Sequence, residues 1–409
     1  MTWDTSIWRP ECLNRSKIRS AQSVTHVTGE FCNPCLRVGS TAKWLQGVET
    51  AGPFGTPLGK EETRMRTILG KVFVVVSLLA LLIVPPQVIG WGNTGHEALA
   101  YIAWQQLTPA TRTRVMELLK QVPTLHNAAN TKSIPGYAEW VADLPAGLSQ
   151  DTQDMYVFMR AATWADTIKH EWLSDSDTPP ANLITEVNIG YTDTASHGYW
   201  HFVDTGFTSD HSTVPATPAP NAATQIVALR QDIASDEDDV LKSYDLIWLL
   251  HLVGDVHQPL HGSTRYYANS SDIGGNDVKI KLTTAMKKEF EGTQSTSAPS
   301  ELHAFWDDLP GEGQPAAAIP DAIAFATPLP AAPATAVTDI DPADWTAASF
   351  AMAKKDAYRT PIGKSTTPPA PSTSYAMTTT YYNRAMKDAK SQIALAGARL
   401  AKLLNENLK

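Results

Sequence analysis

The apolar positions of the chain change their period several times between residue 65 and the C-terminus. From Met65 to Gly90 the sequence reads MRTILGKVFVVVSLLALLIVPPQVIG. Arg66 and Lys71 supply positive charge, Val72 to Val84 is apolar, and two prolines precede small or branched residues. A charged start, an apolar middle and a small-residue end predict a secretory signal segment over 65–90. The apolar run is shorter than the ~20 residues that a membrane-spanning helix needs. Residues 1–64 show no helical or strand period and read as an upstream extension or a pro-segment. Further on, helical spacing predicts helices over Thr94–Gln106, Pro109–Gln121 and Ala222–Ile233. Val240–Val256 (VLKSYDLIWLLHLVGDV) is apolar almost throughout and long enough for a buried helix. Glu301–Asp308 reads as helix, and NRAMKDAKSQIALAGARLAKLLNENL closes the chain as another. Gly274–Leu282 (GGNDVKIKL) predicts a turn and a short strand. Ala326–Asp344 and Thr366–Ser374, rich in Ala, Pro and Thr, predict irregular loops. Together these give a mainly α fold, one helical domain over 91–409 with long loops and a small β-hairpin.

Composition narrows the chemistry. With 409 residues and 43% hydrophobic content, the chain is not disordered as a whole. The net charge is −9, and residues 91–409 carry 23 basic and 36 acidic residues, a net of −13. That balance excludes a broad basic face for duplex DNA. An anionic substrate must be met by local cations or by metals. Cys12, Cys32 and Cys35 all precede Trp91, so no cysteine nucleophile, thiolate metal site or disulfide lies after it. Any metal there is held by nitrogen and oxygen donors. Asn269-Ser270-Ser271 is a glycosylation sequon, meaningful only in a eukaryotic source.

Cleavage after Gly90 would give Trp91 a free amine. That amine and the Trp91 carbonyl can chelate a metal as a five-membered ring, with His96 close enough to join. Four further segments carry chemistry-bearing residues. TWADTIKH contains Asp166 and Lys169, and YWHFVD contains His201 and Asp204. HLVGDVHQPLHG contains His251, Asp255, His257 and His261, and LHAFWDD contains His303, Asp307 and Asp308. His251 and Asp255 stand one helical turn apart, as do His303 and Asp307, so each pair shares a face and can bite one ion. Zinc suits this set of imidazoles and carboxylates. Either pair alone is better read as a core histidine bonded to a carbonyl. Two pairs in apolar surroundings favour metal, because a buried carboxylate needs a partner. His126 and His170 read as surface residues, and His197, His211 and His257 as structural or supporting ones.

Trp91 with GNTGH, then WAD, HFVD, HLVGDVHQPLH followed by GGN, and LHAFWD together resemble the zinc-dependent single-strand-specific nucleases and 3′-nucleotidases of the S-one/P-one type. The likeness spans about Trp91 to the closing AGARLAKLLN. It implies a helical fold like that of the zinc phospholipases C, with three zinc ions at the bottom of a cleft. Asp166, His201, His251 and Asp255 would hold one zinc. The Trp91 amine and carbonyl, His96 and a bridging Asp255 would hold its neighbour. His261, His303 and Asp307 would hold the third. The implied reaction is hydrolysis of single-stranded DNA and RNA to 5′-nucleotides, with 3′-nucleotidase activity, by a secreted (extracellular or periplasmic) monomer without a membrane partner. Asp204 would orient or activate water, with support of a histidine ligand as the plainer reading. Lys169 would stabilise phosphoryl charge, against a solvated surface lysine. Phe202 would stack on a base, against a core phenylalanine. Two departures stand out: residues 91–409 lack the disulfides usual in fungal and plant members, and WDDLP carries no asparagine after the last aspartate. A zinc phospholipase C and a non-catalytic secreted zinc-binding protein are the alternatives. The first would use glutamate where Asp307 stands.

Overall fold

A computed structural model of the chain describes residues 90–408, apart from 127–132, 172–188, 192–196, 269, 293–297, 312, 314 and 371, and without the side chains of 169–171 and 315–317. The expected signal segment, the upstream extension and the sequon at Asn269 lie outside the described residues.

Thirteen α-helices run through the described residues. The first five are α1 (Asn93–Gln106), α2 (Pro109–Leu119), α3 (Tyr137–Ala142), α4 (Gln150–Ala161) and α5 (Trp164–Glu171). After a long connection come α6 (Ala222–Ile233) and α7 (Asp239–Asp255). Then follow α8 (Thr284–Gly292), α9 (Leu302–Asp307), α10 (Pro315–Ala326), α11 (Ala334–Val337), α12 (Pro342–Met352) and α13 (Thr379–Asn407). Local chemistry marks several starts. Thr108 Oγ1 accepts the Thr111 N–H at 3.1 Å ahead of Pro109, and Asp238 Oδ1 accepts the Val240 N–H at 2.9 Å. Asn221 and Thr224 form a reciprocal capping box at α6.

The centre of the molecule is α7, buried at every residue from Leu241 to Asp255. Its one lysine, Lys242, reaches out to donate to the Ser235 carbonyl at 2.6 Å. α6, α2, α5 and α13 pack around it. α1 lies against α13 and α10. Gly397 lets α1 and α13 come close, since a Cβ there would stand 2.6 Å from the Leu99 carbonyl oxygen. Helices therefore enclose the ends that carry the chemistry, the N-terminus of α1 and the C-terminus of α7.

Strands are short. β1 (Leu125–His126) pairs antiparallel with β2 (Ser133–Ile134), Leu125 opposite Ile134. β3 (Gly206–Phe207) runs parallel to β4 (Thr264–Tyr267), Gly206 opposite Thr264, and β4 turns back antiparallel to β5 (Ser270–Ser271). β6 (Ile280–Lys281) runs parallel to β7 (Tyr375–Ala376). The mainly α, single-domain expectation and the small hairpin agree with this architecture. One loop expectation differs. Within Ala326–Asp344, α11 forms and α12 begins, because Asp341 accepts the Ala343 N–H at 2.9 Å and Pro342 opens the first turn. The turn and the short strand expected within Gly274–Leu282 are present, the turn where Gly274 and Gly275 adopt φ of +58° and +92° and the strand at Ile280–Lys281.

Candidate metal centre

Four segments bring imidazoles and carboxylates to the C-terminal end of α7. His251 and Asp255 project from one face of that helix. α5 supplies Asp166, and a 3₁₀ turn at Gly198–His201 supplies His201. α1 supplies His96. Four donor atoms converge: His201 Nδ1 lies 3.0 Å from both Asp255 Oδ2 and His251 Nε2. Asp166 Oδ1 lies 3.7 Å from His201 Nδ1 and 3.6 Å from His251 Nε2. The other oxygen of Asp255, Oδ1, faces His96 Nε2 at 3.3 Å. The two oxygens of one carboxylate thus face two groups that share His251, Asp166–His201–His251 and His96–His251.

A third group lies close by. The 3₁₀ turn Pro259–Gly262 delivers His261, and α9 delivers His303 and Asp307. His303 Nε2 stands 3.6 Å from Asp307 Oδ2, and His261 Nε2 3.9 Å from Asp307 Oδ1. Backbone carbonyls fix these rings. His251 Nδ1–H donates to Ala162 O at 2.8 Å, His261 Nδ1–H to His201 O at 2.6 Å, and His303 Nδ1–H to Gly274 O at 2.7 Å. Each bond leaves the Nε2 lone pair facing the cluster, the tautomer that a metal ligand requires.

The donors fit a divalent cation. Among the described residues, neither ring nitrogen of His96 makes a hydrogen bond, nor does Asp255 Oδ1, although both residues are wholly buried. Such groups are costly without a partner. The electrostatics point the same way. His96 and His251 stack at 3.9 Å between centroids, so both cannot carry a proton. Burial, and then the His251 charge, pushes His96 down. Burial also opposes protonation of His251, but Asp255 and Asp166 overcome it and hold the ring up to about 9. Asp255 is held well below the usual carboxylate range, because the histidines around it outweigh its burial. A proton on His251 occupies the place where metal binding would release one.

The backbone at Trp91 closes one side. Trp91 is buried, and its indole N–H donates to the Gly254 carbonyl at 3.1 Å. Gly254 is needed here, since a Cβ would stand 2.9 Å from His96 Nδ1. Gly92 N–H donates to the Asp307 carbonyl at 2.9 Å, tying the start of α1 to α9.

The three remaining candidates stand beside the cluster. Phe202, Asp204, Leu260, Ile273, Gly274 and His303 line one small pocket. Phe202 is half-buried rather than a core residue. Asp204 Oδ1 accepts from the Thr264 hydroxyl at 3.0 Å, and burial pushes its carboxyl up. Asp204 and Ile273 adopt φ of +52° and +51°, strained for residues with side chains, and both face this pocket. The Lys169 side chain lies outside the described residues. Ile273 was not singled out from the sequence, where one isoleucine before GGN carries no signal. Among the other histidines, His126 and His211 are exposed, His197 stacks on Trp200 at 3.8 Å, and His257 is buried.

The S1/P1 Nuclease family model matches residues 91–409. The chain belongs to the S1/P1 nuclease family. It is similar to Nuclease P1 of Penicillium citrinum, 25% identical over 77% of this chain and 97% of that protein. It is also similar to Endonuclease 2 of Arabidopsis thaliana, 24% identical over 58% of this chain and 61% of that protein. Nuclease S1 of Aspergillus oryzae is 22% identical over 54% of this chain and 55% of that protein. Like those relatives, the chain is a nuclease by family. The family match begins at Trp91, the residue that opens the segment carrying His96. No helix of the described residues is long and apolar enough to cross a membrane.

Proposed function

We propose that the chain is a secreted zinc-dependent nuclease that hydrolyses single-stranded DNA and RNA to 5′-nucleotides and also removes 3′-phosphates from nucleotides. The observation that carries this reading is Asp255, whose two oxygens face two histidine-containing groups with a third group alongside. Asp166, His201, His251 and Asp255 would hold one zinc. His96, Asp255 and the amine and carbonyl of Trp91 would hold a second, once the chain is cut after Gly90. His261, His303 and Asp307 would hold a third. Zinc fits because every donor is an imidazole, a carboxylate or a terminal chelate and none is a thiolate. When bound, the metals lower the pKa of coordinated water towards ~7 and supply Lewis acidity at phosphorus.

The protein's own residues do the rest. Asp204, fixed through Oδ1 by Thr264, keeps Oδ2 for a water or a substrate group. Lys169 neutralises charge on the phosphoryl oxygens. Phe202, which lines the small pocket together with Ile273, offers a half-buried ring, and so a slot where one base would stack. Entry into such a slot requires an unstacked base, which accounts for single-strand preference.

The test uses protein beginning at Trp91 and follows acid-soluble nucleotide release from single-stranded and duplex DNA, with and without chelator. We expect fast, chelator-sensitive release from the single strand. Absence of release from protein with zinc bound would overturn the reading. Headgroup release from phospholipid vesicles by the same protein would then favour the zinc phospholipase alternative.

A further inference from the structure

Thr264 stands where the small pocket and the third group meet. It opens β4 and is buried. The segments that carry His201 and His261 run side by side here. His261 Nδ1–H donates to the His201 carbonyl at 2.6 Å, and Val203 N–H to the His261 carbonyl at 2.8 Å. Thr264 N–H donates to the Thr205 carbonyl at 3.0 Å, which brings the Thr264 side chain to Asp204. The hydroxyl is then used twice. Gly274 N–H lies 2.7 Å from Thr264 Oγ1 and, as a backbone N–H, can only donate. The hydroxyl accepts there, so its one proton goes to Asp204 Oδ1 at 3.0 Å. Gly274 in turn offers its carbonyl to His303 Nδ1–H at 2.7 Å. The path His303–Gly274–Thr264–Asp204 thus crosses from the third group to the pocket, and every donor along it points toward Asp204.

Neither end of the path has slack. Asp204 and Gly274 adopt φ of +52° and +58°. A Cβ at Gly274 would stand 3.0 Å from the Leu260 carbonyl oxygen and 3.2 Å from His303 Nδ1, so the loop lies against the ring that it orients. The loop is also anchored to β4 without the hydroxyl. Asp272 N–H donates to the Arg265 carbonyl at 2.9 Å. Asp272 Oδ1 accepts the Arg265 N–H at 2.9 Å and the Tyr358 hydroxyl at 3.1 Å. Arg265 and Asp272 are wholly buried, and Arg265 Nε stands 3.4 Å from Asp272 Oδ2. Loss of the Thr264 hydroxyl therefore leaves the loop on β4 and alters its aim.

We infer that Thr264 is a positioning residue for the hydrolysis, one hydroxyl that sets the Asp204 carboxylate and, through Gly274, the His303 ring. The pocket and the third group are then aligned by a single side chain that acts only through these two residues. This rests on the proposed nuclease reading.

The experiment uses protein beginning at Trp91 as wild type, as Thr264→Val, which keeps the shape and loses the hydroxyl, and as Thr264→Ser, which keeps the hydroxyl. Circular dichroism checks folding. Thr264→Ala, which leaves room for a water at the Gly274 N–H, replaces the valine variant if that does not fold. Zinc per chain is read by atomic absorption after dialysis against graded chelator. We expect Thr264→Val to lose one ion at about ten-fold higher free zinc than wild type and to hold the others as wild type does, with Thr264→Ser following wild type throughout. Saturating zinc refills the third group, so the loss that remains reports Asp204. There kcat/KM on a single-stranded oligothymidylate should fall about ten-fold in Thr264→Val, and no further when Thr264→Val is added to Asp204→Ala. Zinc release that is the same in the valine and serine variants would overturn the inference, as would losses that add in the Asp204→Ala background. The zinc measurement needs no substrate. It tests the link from Thr264 to His303 even if wild type cleaves nothing, an outcome that would sink the nuclease reading alone.

Discussion

Gln258 joins two of the segments that feed the third group. Its Nε2 donates to Asp307 Oδ1 at 2.5 Å, and its Oε1 accepts the Leu260 N–H at 2.5 Å. A backbone N–H can only donate, so the amide has one possible orientation, with its NH₂ end toward Asp307. That leaves Asp307 Oδ2 for the side of His303, and it braces the turn whose next residue is His261. Gln258→Glu replaces the donor with a second carboxylate against Asp307. We expect the variant to fold, by circular dichroism, and to hold one metal ion fewer per chain than wild type by atomic absorption. An unchanged metal count would show that Gln258 does not organise this group. The histidines and aspartates of the centre were legible because buried ionisable residues at one-turn spacing are costly without a role. Gln258 and Ile273 were not, because an amide or an isoleucine in a loop is ordinary until its neighbours are known. The orientation of the His251, His261 and His303 rings was equally hidden, since carbonyls distant in sequence set it.

At the level of elements, the end of α7 is locked to α13 by a neutral histidine. His257 Nδ1–H donates to the Val253 carbonyl at 2.7 Å, so Nε2 is the acceptor for Arg399 Nη1 at 2.8 Å. Arg399 also donates to the Ala336 carbonyl at 3.1 Å and to Asp339 at 3.0 Å, which ties down α11 and the loop after it. Burial, and then the Arg399 charge, pushes His257 down to about 3. The folded state thus refuses a proton that the unfolded chain, with its histidine near ~6.5, accepts. Stability from this lock is complete above about pH 6.5 and is lost as pH falls from there towards 3. With metals removed, we expect the wild-type melting temperature to fall across that window more steeply than that of His257→Gln, which keeps a donor and an acceptor but cannot titrate. Parallel pH profiles would refute the lock. The helices read from sequence were those with one clear stripe or a continuous apolar run, such as α6 and α7. Two of those missed lack such a run. α4 begins with five polar residues and buries only its last five, and α10 is alanine-rich with Pro320 inside it.

The centre draws on the whole molecule, from the residue before α1 to α9, and its most exacting demand falls on the chain just before Trp91. Gly90 packs against the His96–Asp255 group so closely that a Cβ would stand 1.8 Å from Asp255 Oδ1 and 2.9 Å from His96 Nε2. A peptide running upstream of Trp91 therefore fills the space beside the two donors that a free amine at Trp91 would share with a metal. An amide nitrogen is also a far poorer donor than an amine, because its lone pair is delocalised into the carbonyl. Three versions of the protein separate these effects: one beginning at Trp91, one at Gly90, and one at residue 90 with Gly90→Ala. We expect the first to bind one more metal ion per chain than the other two. The third should melt lowest, because its added methyl meets Asp255. Metal that binds only the folded chain stabilises it by an amount that grows with free metal, so the Trp91 version should also gain most in melting temperature as zinc is raised. Equal metal content in all three versions would remove Trp91 from the centre and leave His96 and Asp255 to be satisfied in another way.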